Sequence, residues 1–90
     1  MVPGYAGWYE VSDRGNVSSL PRAATAGGAL VPQLNSEGYR VVRLSKYGRV
    51  RTVTVGQLVL RAFAGEPEPG QRARHRGTRD DDSLGNLYWG

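Results

Sequence analysis

The sequence predicts an α+β fold made of two antiparallel β-hairpins and one short helix. Three observations predict it. Two stretches rich in β-branched residues, near residues 8–20 and 39–55, each fold about a Gly-containing turn. The hydrophobic spacing then becomes helical over residues 56–64. The run Gly65-Glu66-Pro67-Glu68-Pro69-Gly70 can continue neither pattern and reads as a stiff connector.

In the first hairpin Trp8-Tyr9-Glu10-Val11 reads as a strand, Asp13-Arg14-Gly15-Asn16 as the turn and Val17-Ser18-Ser19-Leu20 as the returning strand. Gly15 is the residue suited to a positive φ. Residues 21–29 are small, Gly-containing and unpatterned, and are expected to form a mobile loop. Residues 39–44 and 50–55 make the second hairpin about Lys46-Tyr47-Gly48. Arg49 and Arg51 share the parity of Val53 and Val55, so guanidinium groups project near the turn while the valines pack at the base. In the helix, Val55, Leu58, Val59, Ala62 and Phe63 fall on one face. The tail offers short strands near 72–75 and 87–89 around an acidic loop, and is expected to be loosely held.

Ninety residues make one small domain, or a domain with an appendage. The absence of Cys excludes disulfides and thiolate zinc sites, and a single His excludes a multi-histidine metal site within one chain. No apolar run approaches the length of a membrane span, and no signal peptide is visible, so a cytoplasmic protein is expected. The formal net charge is +4, and Lys46 is the only lysine. Arg40, Arg43, Lys46, Arg49, Arg51 and Arg61 follow one another without an intervening acid, and Arg72, Arg74, Arg76 and Arg79 form a second cluster. The planar fork of arginine pairs with phosphate oxygens, so these stripes suit double-stranded DNA; a solvated, arginine-rich surface is the plainer reading.

His75 lies between Arg74 and Arg76, and Asn86 follows in the aromatic run Asn86-Leu87-Tyr88-Trp89. As the only imidazole, His75 carries any histidine-based proton transfer near neutral pH. Asp80, Asp81 and Asp82 are candidate hard-oxygen ligands for Mg²⁺. The simpler reading has Asp82 or Ser83 capping a helical turn at Leu84 while the other aspartates balance arginines. A Ser83–His75–Asp triad has no nucleophile elbow or oxyanion site to support it.

Pro3-Gly4-Tyr5, Gly7, Tyr9, Val11-Ser12, Gly15, Val17 and Ser19-Leu20 together resemble the nuclease-associated modular motif at the front of many phage HNH endonucleases. Leu34-Asn35, Gly38-Tyr39, Val41, Leu44, Leu58-Val59 and Ala62-Phe63 are similar too, and Arg74-His75 with Asn86-Leu87-Tyr88-Trp89-Gly90 resembles the first part of the HNH signature. The resemblance implies a β-rich DNA-binding region at 1–64, a linker at 65–71 and a partial ββα-metal (HNH) unit at 72–90. It implies a nicking or homing endonuclease using Mg²⁺ or another divalent cation, with His75 as general base and Asn86 holding the loop that aims it. The DNA-binding residues expected are Arg40, Arg43, Lys46, Arg49, Arg51, Arg72, Arg74 and Arg76.

Four departures qualify that expectation. Gly56 stands where relatives often have a His, and Arg74 where some have a metal-binding Asp or Asn. The spacing from His75 to Asn86 is about one residue short, and the final Asn with its helix would follow Gly90. A truncated or catalytically incomplete form is therefore expected, completed in one alternative by a homo-oligomer or partner chain. The competing functions are a non-catalytic DNA-binding regulator, or a phage module that binds a host protein.

Overall fold

The computed structural model describes Val2, residues 4–21 and residues 27–90. The first hairpin pairs β1 (Tyr9–Val11) with β2 (Val17–Ser19), Val11 opposite Val17. Its turn is closed by Ser12, whose N–H donates to Asn16 O at 2.8 Å and whose hydroxyl accepts from the N–H groups of Arg14 and Asn16. Gly15 adopts φ +86°, as the sequence predicts.

A third strand, β3 (Gly28–Ala29), adds to β2 and replaces part of the expected loop; residues 22–26 of that loop lie outside the described residues. The second sheet also has three strands. Here β4 (Gln33–Leu34) pairs with β5 (Arg40–Lys46), which pairs with β6 (Arg49–Thr54). An Asx turn joins β4 to β5: Asn35 Oδ1 accepts from the N–H groups of Glu37 and Tyr39, each at 3.0 Å. A two-residue strand carries no periodicity, so the pattern of alternation marked neither β3 nor β4.

Tyr47 and Gly48 turn β5 into β6 with φ of 52° and 76°. Two consecutive positive φ values match the twist of a tight hairpin, and Tyr47 adopts one despite its side chain. Its ring meets Trp8 edge-on at 5.2 Å, which ties the second hairpin to the first. Tyr9 makes the other tie, its hydroxyl donating to Ser45 O and accepting from Ser45 N–H.

Helix α1 (Val55–Phe63) begins where Thr54 caps it, Oγ1 accepting from Gln57 N–H. Val55, Leu58 and Val59 are buried as predicted, whereas Phe63 is 48 % exposed and Leu60 is buried. The difference arises because α1 is covered on two sides. It packs on β5 and β6, and also on the tail hairpin of β7 (Ala73–His75) and β8 (Leu87–Trp89). Gly56, beside Leu87, His75 and Asp82, marks that second face.

The tail is therefore docked rather than loosely held. Leu87 belongs to the same core as Val11, Val17, Leu44 and Leu60. Trp89 Nε1 donates to Gly65 O, and Leu84 N–H donates to Asp13 O in the first hairpin's turn. No helix among the described residues is long and apolar enough to cross a membrane.

Candidate functional site

His75 ends β7 opposite Leu87, with its side chain only 6 % exposed. Nε2 lies 2.7 Å from Asp82 Oδ1, and a carboxylate oxygen can only accept, so the ring nitrogen donates. The other ring nitrogen, Nδ1, is buried without a hydrogen-bond partner. Asp82 is 2 % exposed, and its second oxygen lies 3.5 Å from Arg40 Nη1 at the start of β5. A buried carboxylate needs such partners, because an unpaired charge in the interior costs several kcal/mol.

Three features, two glycines and the Asn86 side chain, bring Asp82 to this place. Gly15 presses on it so closely that a Cβ there would lie 2.9 Å from both Asp82 Cβ and O. A Cβ on Gly56 would come within 3.1 Å of Asp82 Oδ1. Gly56 is in the first turn of α1, where partial positive charge favours a carboxylate. Asn86 folds the intervening loop: Oδ1 accepts from Gly77 N–H at 2.8 Å, while Nδ2 donates to Thr78 O and Asp81 O at 3.1 and 2.7 Å. His75 and Asp82 thus meet across a loop stapled from inside.

Beside this pair runs an open groove of about 340 Å³, lined by Tyr39, Arg72, Arg74, His75, Gly77, Arg79 and Tyr88. Tyr39 sets its ring 5.5 Å from the His75 ring, and Arg79 stacks on the same tyrosine while donating to Glu37 O. Arg74 Nε donates to Gly90 O, which leaves its terminal nitrogens available. Arg76 stacks on Tyr88 with 4.8 Å between its guanidinium carbon and the ring centre. Arginines that share one groove with the histidine can hold a phosphodiester beside it.

The arginines of the second hairpin do not form one stripe. The register pairs Lys46 with Arg49, Leu44 with Arg51 and Val42 with Val53, so Arg49 and Arg51 lie on the core-facing side, beyond the core toward the turn. Arg43 pairs with Thr52 on the opposite, outer side. Arg40 is directed to Asp82. Lys46 donates to Gly4 O at 2.8 Å and sits 5.4–5.9 Å from the rings of Tyr5, Trp8 and Tyr47, so it serves the fold.

The donor set does not fit a divalent cation. Among the described residues no three His, Cys, Asp or Glu side chains converge. Asp82 is committed to His75 and Arg40, and Asp81 accepts from the Ser83 hydroxyl and N–H, which hold its carboxyl below the usual carboxylate range. Asp80 is exposed. A guanidinium at position 74 has no lone pair to offer. Ser83 occupies the cap position before the 3₁₀ turn Leu84–Asn86 but makes no side-chain cap bond.

Asp82 is the residue whose part the sequence concealed, because it read as a cap for the turn at Leu84 or as one of three candidate cation ligands. The sequence places Arg79 only in the second arginine cluster and Tyr39 only in a motif, and neither placement brings them beside His75. A signal was present in the pairing of the sole His with an acid seven residues on, opposite a glycine at a helix start.

The model of the NUMOD4 motif matches residues 1–45. DNA endonuclease I-HmuI of Bacillus phage SP01 is 34 % identical over 89 residues, which is 98 % of this chain and 49 % of that protein. A solved structure described as DNA binding and cleavage by the HNH homing endonuclease I-HmuI superposes with a TM-score of 0.87 at 33 % identity, covering 99 % of this chain and 49 % of its own. The chain therefore spans about half the length of the relative it matches. The antiparallel sheets and the one α-helix among the described residues agree with the predicted α+β class, and with the NUMOD4 motif matching half of it the chain belongs to the NUMOD4 family.

Proposed function

We propose that this chain grips duplex DNA and presents the histidine side of an HNH-type phosphodiester-cleaving site, in the cytoplasm of a bacterial or phage-infected cell. The observation that carries this reading is His75, held by a buried carboxylate beside a groove carrying Arg72, Arg74 and Arg79. In this reading the arginines hold phosphate oxygens of one strand. His75 is the proton acceptor of this reading once its ring is uncovered to water, and Asp82 sets negative charge against the imidazolium as it forms. Asn86 acts only through the backbone it staples. Arg49 and Arg51 extend the cationic surface to the turn of the second hairpin.

A second reading, DNA binding without cleavage, is favoured by one specific observation: Arg74 stands beside His75 and no set of cation ligands converges among the described residues. The two are separated by incubating supercoiled plasmid with the protein and Mg²⁺. Nicking that is lost in His75→Ala supports the first; salt-sensitive binding without nicking supports the second. Binding indifferent to ionic strength contradicts both, because phosphate contacts release counterions.

A further inference from the structure

We propose that Asp82 is a positioning residue for His75, fixing the neutral imidazole as its Nε2–H tautomer so that Nδ1 keeps the free lone pair. This rests on the reading of His75 as the base, but its test does not depend on cleavage. The geometry is specific. The short bond from Asp82 goes to His75 at 2.7 Å, while Arg40 is more distant at 3.5 Å and holds the other oxygen. Had the carboxylate served only to neutralise Arg40, the closer approach would be to the guanidinium.

Nδ1 is buried and unpartnered in either tautomer, so the choice is made at Nε2, where only a donor can meet the Asp82 carboxylate at 2.7 Å. The carboxylate itself is fixed by three separate elements, namely Gly15 in the first hairpin, Gly56 in α1 and Arg40 on β5. Gly56 has a use here beyond the loss of a side chain. Its missing Cβ leaves the space into which Oδ1 fits against the first turn of the helix.

Because His75 is the only histidine, its ring nitrogens can be read without assignment ambiguity. Long-range ¹H–¹⁵N spectra of the labelled chain at alkaline pH should show the Nε2–H form in roughly tenfold or greater excess, as a charge-assisted hydrogen bond implies. The Nε2 proton should give a nuclear Overhauser effect to the Asp82 β-protons. In Asp82→Asn the excess should shrink, because the amide can also donate to Nε2 and release the proton to Nδ1. A predominant Nδ1–H form, or an Nε2 proton with no proximity to Asp82, overturns the proposal in the wild type alone, even where the variant does not fold. A folded Asp82→Asn variant with unchanged tautomer populations overturns it as well. Failure of plasmid nicking would instead count against the catalytic reading and leave these spectra unaffected.

Discussion

Replacing Asp82 with alanine tests how firmly the tail is built into the domain. The substitution removes a carboxylate that is 2 % exposed and bonded to His75 at 2.7 Å. It leaves the Nε2–H of a nearly buried imidazole without an acceptor, which costs about 1–3 kcal/mol. Arg40 loses a partner too, but its side chain is 24 % exposed and water can replace part of the interaction. The total should fall at about 2–4 kcal/mol, below the ~3–5 kcal/mol of breaking a fully buried pair. A 90-residue domain has about 5–13 kcal/mol of stability in all. Urea unfolding followed by tryptophan fluorescence measures the change, with an unchanged m-value showing that the same surface is exposed. The exposed neighbour provides the control, since Asp80→Ala should stay within about 0.5 kcal/mol of wild type. A loss under ~1 kcal/mol for Asp82→Ala would refute the buried pair as a structural element.

Gly15→Ala should destabilise by more than the ~1–2 kcal/mol of a left-handed alanine, since the new Cβ would strike Asp82; a variant as stable as wild type in urea would contradict the packing of turn on tail. The two faces of the second hairpin should separate in DNA binding: Arg49→Ala with Arg51→Ala should flatten the log–log salt slope by about 1.8, whereas Arg43→Ala should not alter the effect of that pair, and coupling between the faces in a triple variant would contradict the register. The Ser83 hydroxyl and N–H hold the Asp81 carboxyl below its ordinary range, so its contribution is present above that range and disappears as pH falls through the lowered folded-state value. Asp81→Asn should therefore lower stability at neutral pH and lose its effect in strong acid; a deficit that grows on acidification would reverse the sign.

The hairpins and helix were legible because their signals are local. Alternation marks β1, β2, β5 and β6, and the spacing of Val55, Leu58 and Val59 marks α1. What escaped is non-local. Leu60 is buried in a helix that a second hairpin, beginning ten residues later, also covers, and no periodicity announces that partner. Parity placed Arg49 and Arg51 on the valine side of β6, but only the register shows Arg43 facing the other way. His75 stood out as the sole imidazole, whereas Asp82 looked like its neighbours Asp80 and Asp81. The loop stapled by Asn86 makes the three aspartates different, leaving one buried and two exposed.

The groove beside His75 is expected to hold nucleic-acid phosphate. Fluorescence anisotropy of a labelled duplex over a range of salt concentrations tests it most directly, comparing wild type with the double variant Arg72→Ala, Arg74→Ala. Loss of two phosphate contacts predicts weaker binding at low salt and a log–log slope smaller by about 1.8. Superimposable titrations at every salt concentration would remove the groove from the DNA interface and contradict the account.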